Sequence, residues 1–221
     1  MTPDQQKIVT VISTDIRNFT YHSRPFELQN ESDEDFHRRF SELCDIVRDF
    51  YNLTLETIAR HDIERQAIVL PSGDGLILAF QDTAHAVTAF RSALDLRDSY
   101  NKFFTGLNDR MNERHRSVKL SYGMGMHTGF SVIRHFQSYE NPGNEEELIL
   151  GDALNIATRC EQLTKEHPGC GIMLSEHSLK VLRQQLCDEE LDVEFLDYQV
   201  HSIRGYKPLR LYGIAMNERG G

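Results

Sequence analysis

Residues 7–20 of the 221-residue chain read KIVTVISTDIRNFT and contain the strand on which the fold is built. Residues 7–14 are apolar and rich in β-branched side chains, which predicts a short buried strand. The strand closes on Asp15, and the turn after it can aim successive backbone N–H groups at an anion. Phe19 and Thr20 lie in this turn, which is entered through Asn18, a residue type that tolerates a left-handed φ.

A second carboxylate stands at the tip of a predicted hairpin. Residues 67–70 and 76–80 flank the segment PSGDG, in which Gly73 and Gly75 permit the positive φ that a tight turn needs. Adjacent strands of one sheet would bring Asp74 close to Asp15. Two carboxylates in that arrangement can hold a pair of metal ions, which activate an attacking oxygen and neutralise a leaving phosphate.

The rest of the chain alternates helical and strand patterns. Apolar residues at three- and four-residue steps predict a long amphipathic helix over about 33–60. A second helix is predicted to end near Phe104, and a third to run from about Asp152 to about His167. The remaining predictions are a strand pair at 117–127 and 130–136 around Thr128-Gly129, an acidic loop at 138–147, a strand at 171–175, a helix at 176–186, and closing strands at 193–200 and 209–214.

This order predicts an α+β fold, with helices packed on one face of a mostly antiparallel sheet. The length and the lack of a linker indicate a single domain over residues 1–221.

Composition excludes several classes of function. The net charge of −10 argues against nonspecific binding to nucleic acid or to an anionic membrane. No stretch approaches the roughly 18 apolar residues of a membrane span, and the N-terminus lacks a signal-peptide pattern. The four cysteines have neither CxxC nor zinc-site spacing, which indicates reduced thiols. A cytoplasmic protein is therefore expected.

Asn155 and Arg159 lie four residues apart in the third helix and so project from the same side of it. An isolated pair of this kind is at least as often simply two polar residues on the solvent-exposed side of a helix. An arginine can also stabilise the charge of a phosphoryl-transfer transition state, which is worth about 10³–10⁵ in rate.

Four stretches together resemble the catalytic domain of class III nucleotidyl cyclases. They are VISTDIRNFT at 11–20, PSGDGLILAF at 71–80, YGMGMHTG at 122–129 and LGDALNIATRCEQL at 150–163. The resemblance implies a ferredoxin-like sheet and a head-to-tail homodimer with two shared active sites. It also implies two Mn²⁺ or Mg²⁺ ions per site, held by Asp15, Asp74 and the backbone carbonyl of Ile16.

The resemblance assigns roles to the other candidate residues as well. Asn155 would orient the ribose and Arg159 would stabilise the transition state, both reaching the metals of the other subunit. The phosphate-binding lysine of the family corresponds best to Lys207, with Arg204 next. The implied reaction is attack of the ribose 3′-hydroxyl on the α-phosphorus of a ribonucleoside triphosphate, giving a 3′,5′-cyclic nucleotide and pyrophosphate. The nucleotide would contact the positions Phe19, Thr20, Leu70, Leu148 and Lys207.

Leu70 and Leu148 depart from the family pattern. Adenylate cyclases of this class place lysine at the first position and Asp or Thr at the second, and guanylate cyclases place Glu and a small polar residue there. Leucine can pack against a base but cannot read its polar edge, so the purine-reading groups of the family are either absent or relocated in this chain.

Three explanations stay open at this point. The chain resembles the bacterial Pycsar antiphage cyclases, which make cyclic UMP or cyclic CMP for a separate effector protein. It is alternatively a divergent adenylate cyclase, or a non-catalytic nucleotide-binding regulator. The third is the least favoured, because all four metal and transition-state positions are present.

Overall fold

A computed structural model describes residues 5–23, 33–61, 67–112, 118–137, 145–167, 169–187, 193–202 and 205–216. The elements follow in this order: β1 (Gln5–Arg17), α1 (Phe19–Ser23), α2 (Asp33–Ile58), β2 (Ile68–Ser72), β3 (Gly75–Phe80), α3 (His85–Asn112), β4 (Ser121–Gln137), β5 (Glu145–Gly151), α4 (Asp152–Leu163), a 3₁₀ turn (Thr164–Glu166), β6 (Cys170–Ser175), α5 (Glu176–Leu186), β7 (Leu196–His201) and β8 (Leu209–Ala215).

One sheet contains all eight of these strands. Its order is β2-β3-β1-β4-β6-β8-β7, and β5 pairs with the far half of β4. Every pairing is antiparallel except that of β4 with β6, and the chain passes from β4 to β6 through β5 and α4. The first four strands with α2 and α3 form the βαββαβ unit of a ferredoxin-like fold, so the predicted α+β class is confirmed.

The helices cover both faces of the sheet. Alternate residues of β1, such as Ile12 and Ile16, point into the larger core, where α2, α3 and α5 pack. The intervening residues Val9 and Val11 pack with Ala157 of α4 on the opposite face. The prediction that helices cover one face thus holds for α2, α3 and α5. Among the described helices, α4 packs on the other face, beside the end of β1 that carries Asp15.

Two predicted boundaries are wrong in the middle of the chain. Thr128 and Gly129 do not form a turn, because they pair with Thr10 and Val9 of β1 inside one continuous strand, β4. The acidic segment is not all loop, because Glu145–Gly151 is a strand that pairs with β4. This strand has β4 as its sole neighbour among the described residues, and such an edge tolerates charged side chains.

The second helix is longer than predicted. It continues to Asn112 because Leu107 and Met111 extend the buried stripe beyond Phe104. No described helix is both long enough and apolar enough to cross a membrane.

Candidate active site

The two candidate metal carboxylates lie together at one end of the sheet. Asp15 is opposite Gly75 in the antiparallel pairing of β1 with β3, so Asp74 directly precedes the partner of Asp15. Burial raises the pKa of the Asp74 carboxyl, and the neighbouring charge of Asp15 raises it further. The expected proximity of the two side chains is confirmed.

The hairpin tip that carries Asp74 is fixed by α2 and by a close backbone contact. The Tyr51 hydroxyl lies 2.7 Å from the carbonyl oxygen of Gly73 and 2.9 Å from that of Gly75, and donates to them. Gly73 has the expected positive φ of 67°. Gly75 does not, and is needed for a different reason, because a Cβ there would lie 2.1 Å from the carbonyl oxygen of Thr14.

A second charged cluster, which the sequence reasoning missed, lies next to Asp15. The Lys165 ammonium is 3.3 Å from Asp15 Oδ2 and 3.8 Å from Glu161 Oε1. Glu161 is only 3% exposed, and this burial raises the pKa of its carboxyl to about 7, even though the charge of Lys165 opposes the shift. Glu161 was detectable in the sequence, because it lies four residues after Ala157 on the side of α4 that faces the sheet.

Arg17 completes this cluster. Its guanidinium donates to the Thr164 hydroxyl and lies over Gly123, where a Cβ would be 2.8 Å from Nη2. Burial lowers the pKa of the Arg17 guanidinium, and the charge of Glu161 partly offsets that effect. Among the residues that the structure describes, Arg17 Nε and Glu161 Oε1 are both buried without a hydrogen-bond partner.

Asn155 and Arg159 lie on the exposed side of α4. Asn155 Nδ2 donates to the Tyr206 hydroxyl at 3.3 Å, and that hydroxyl donates to Asp152 Oδ1 at 3.1 Å. Arg159 Nη1 donates to Gln162 Oε1 at 2.6 Å. The Tyr206 ring also packs against the small apolar cluster beneath α4, so this tyrosine, which the sequence did not single out, links the last loop of the chain to Asn155.

Arg159 and Glu161 lie on opposite faces of α4. Arg159 and Glu161 are two residues apart, which is a rotation of about 200° around a helix. Glu161 is buried on the side of Asp15, and Arg159 is therefore directed away from it. Within one chain the structure does not bring the Asn155–Arg159 pair to the carboxylates.

The two candidate base-contacting leucines lie in different environments. Leu70 is partly buried and packs against the cluster between the sheet and α4. Leu148 is 38% exposed and points to the other side of β5 from Ile149, which belongs to that cluster. The side chains of Leu70 and Leu148 consequently point to opposite faces of the sheet.

The remaining candidates are placed as follows. Lys207 is exposed and directly follows Tyr206, so it lies beside the Asn155 end of α4. Arg204 lies outside the described residues. Asn18 has a φ of 65°, as expected, and Phe19 and Thr20 begin the short helix α1. Ile16 is buried.

The donor atoms near Asp15 suit a hard divalent cation. Mg²⁺ in nucleotide enzymes is typically bound by one or two carboxylates plus phosphate oxygens, and Asp15 with Asp74 supplies two. The described residues contain no group of three or more His, Cys, Asp or Glu side chains that could hold a metal. The Lys165 ammonium beside Asp15 shows that this carboxylate can already accommodate a cation.

The chain is similar to several nucleotide cyclases. An adenylate cyclase of Anabaena cylindrica is 28% identical over 133 residues, which is 58% of this chain and 24% of the relative, so the match spans about a quarter of that protein. No protein-family model matches the sequence.

Solved cyclase structures superpose over nearly the whole chain. The adenylyl cyclase CyaB from P. aeruginosa has a TM-score of 0.68 at 20% identity and covers 98% of both chains. The guanylyl cyclase Cya2 has a TM-score of 0.66 at 16% identity, over 98% of this chain and 96% of that one. The chain therefore has the fold of the class III adenylyl and guanylyl cyclase catalytic domains.

Proposed function

We propose that the protein is a nucleotidyl cyclase that acts as a homodimer with two shared active sites. The observation that carries this proposal is the division of the candidate residues. Asp15 and Asp74 form a carboxylate pair at one end of the sheet, and Asn155 and Arg159 face outward from α4, the helix next to that pair. The carboxylate pair has no nearby ribose- or phosphate-binding side chains of this set, and the Asn155–Arg159 pair has no nearby metal carboxylates. A second copy of the chain would supply the pair that each site lacks.

The reaction converts a ribonucleoside triphosphate into a 3′,5′-cyclic monophosphate. The ribose O3′ forms a bond to the α-phosphorus, the bond from that phosphorus to the bridging oxygen of the β-phosphate breaks, the hydroxyl proton is lost, and pyrophosphate leaves. Two Mg²⁺ or Mn²⁺ ions, held by Asp15, Asp74 and the carbonyl of Ile16, would supply charge neutralisation at the phosphates and acidify the attacking hydroxyl.

The side chains of the partner copy position and stabilise the nucleotide. Asn155 holds the ribose so that O3′ points at the α-phosphorus, and its own orientation is set by Tyr206. Arg159 gives up its hydrogen bond to Gln162 and donates instead to the phosphoryl oxygens as negative charge develops on them. Lys207, which follows Tyr206 in the chain, contacts the outer phosphates.

Exposed apolar side chains support association with a second copy. Phe130 is 67% exposed, Leu150 53% and Ile8 49%, and the alternation of the paired strands places all three on the same side of the sheet. A cluster of exposed large apolar residues of this kind is typical of an interaction surface.

For the base we propose a pyrimidine, UTP or CTP. The support is the chemistry of Leu70 and Leu148, neither of which can hydrogen-bond to a purine edge. If the protein acts as the Pycsar cyclases that it resembles do, the product is a second messenger for a separate effector protein in antiphage defence. Adenylate cyclase activity is the second candidate, and the Anabaena relative named as an adenylate cyclase favours it.

The substrate assignment is tested by incubating the purified protein with ATP, GTP, CTP and UTP separately, each with Mn²⁺, and separating the products by chromatography. A pyrimidine cyclic monophosphate as the main product is expected. Preference for ATP would replace the pyrimidine assignment with the adenylate cyclase. Absence of any cyclic product would refute the cyclase proposal itself.

The shared site is tested by mixing two inactive variants. Asp74→Asn and Arg159→Ala are each expected to lose activity while remaining dimeric. A mixture forms heterodimers in which one of the two sites is intact, so activity should return to about a quarter of the wild-type value if subunits exchange at random. Heterodimers shown to form without regaining activity would contradict the shared site.

A further inference from the structure

Lys165 occupies a position that neither the candidate catalytic residues nor the chemistry proposed above uses. It lies in the 3₁₀ turn Thr164–Glu166 that follows α4. Its ammonium is 3.3 Å from Asp15 Oδ2 and 3.8 Å from Glu161 Oε1, and its side chain is about half exposed. The lysine is therefore anchored on one side by a buried carboxylate and is directed on the other side at a metal-binding carboxylate.

A divalent cation on Asp15 would be repelled by this ammonium. Two unit charges 4 Å apart interact appreciably even in water, and a divalent ion doubles the effect. Asp15 Oδ2 would have to exchange the lysine for the metal, whereas the contact with Glu161 can persist, because the flexible stem of Lys165 allows the ammonium to withdraw towards it.

From this geometry we propose that Lys165 sets the metal affinity of the Asp15–Asp74 pair. It neutralises Asp15 while no metal is bound, and withdraws towards Glu161 when a divalent cation arrives. This inference rests on the metal site of the proposed function and assigns a new residue to it. The consequence is that removal of the ammonium should tighten metal binding, although the residue lies within the site.

Direct Mn²⁺ binding tests this proposal without any need for turnover. The full chain is titrated with Mn²⁺ in the absence of nucleotide and at low ionic strength, and free Mn²⁺ is followed by its electron paramagnetic resonance signal. We expect Lys165→Met to bind about three- to thirtyfold more tightly than wild type, between the effect of an exposed ion pair and that of a unit charge facing a divalent ion at 4 Å in water.

Two further variants separate charge from other effects. Lys180→Met removes the same charge from the exposed Lys180–Glu176 pair of α5, where the ion-pair distance is 3.2 Å, and should leave Mn²⁺ affinity unchanged. Lys165→Arg keeps the charge and should bind Mn²⁺ like wild type. Thermal unfolding of each variant verifies that it is folded, and Asp15→Asn should abolish the binding, which locates it.

Unchanged or weaker Mn²⁺ binding in Lys165→Met would overturn the proposal, as would equal tightening in Lys180→Met or no binding to the wild-type protein. Because the readout is metal binding, this result is independent of whether a cyclic nucleotide is formed. An inactive protein whose Mn²⁺ affinity rises in Lys165→Met would refute the cyclase but keep the role of Lys165.

Discussion

Replacing Glu161 with glutamine should stabilise the protein at pH 8 and change it little at pH 4. Burial raises the pKa of this carboxyl from its ordinary value of 4.5 to about 7. The folded protein therefore keeps the proton over a range in which the unfolded chain has lost it. The stability contribution of the protonated group is complete below pH 4.5 and disappears as the pH rises through 7.

The size of the effect follows from the two pKa values. One pKa unit corresponds to about 1.4 kcal/mol, so holding the ionised carboxylate at pH 8 costs about 3 kcal/mol of unfolding free energy. Glutamine has the same shape and no charge, and avoids this cost. The expected gain is close to zero at pH 4 and about 3 kcal/mol at pH 8, which is a rise of roughly 6–12 °C in Tm for a chain of this size.

Urea unfolding at five pH values from 4 to 8, in buffer with EDTA, measures this difference. His127 changes the stability in the opposite direction over part of the range, because its burial lowers the pKa of the imidazole to about 4. That effect is common to both proteins and cancels in the comparison. Glu166→Gln, an exposed change in the adjoining turn, is the control and should have little effect at any pH.

A gain that does not depend on pH, or a loss of stability in Glu161→Gln at pH 8, would refute the reasoning. The first result would mean that the substitution acts through packing. The second would mean that the ion pair with Lys165 stabilises the fold by more than the burial of the charge destabilises it.

Two hydroxyl deletions test how the site is held in place. Tyr206→Phe removes the hydrogen bond to Asn155 and should lower kcat about two- to tenfold, with Tm within about 2 °C, because the ring stays packed; unchanged kcat would show that Asn155 needs no support. Tyr51→Phe frees the hairpin tip and should lower the unfolding free energy by about 1 kcal/mol and weaken Mn²⁺ binding at Asp74. Mn²⁺ affinity equal to wild type would indicate that the backbone contact at Gly75 fixes the tip without the tyrosine.

The local elements were predictable because their signals lie within a few residues. The β-branched run before Asp15 and the glycines around Asp74 predict a strand and a hairpin, and the structure has both. Strand pairing over a distance is different. Thr128-Gly129 is typical of a turn when read locally, and only its pairing with β1 keeps that stretch extended.

At the candidate site, too, the sequence predicted local features but not long-range contacts. The Asn155–Arg159 pair was recognisable from its spacing on a helix. The partners Tyr206 and Lys165 were not, because each reaches the site through the tertiary fold. Tyr206 is 51 positions from Asn155, and Lys165 is 150 from Asp15. The spacing of residues along the sequence does not reveal contacts between residues that are so far apart.

The two-sided use of α4 has a consequence for communication within the proposed dimer. In that dimer, one helix of 12 residues, about 18 Å long, would direct Glu161 towards the proposed metal site of its own subunit and Arg159 towards that of the neighbour. A small rotation of this helix would alter both catalytic centres at once. Occupancy of one centre would then change the affinity of the other by the same factor in both directions, which would give the proposed dimer a structural basis for cooperative substrate binding.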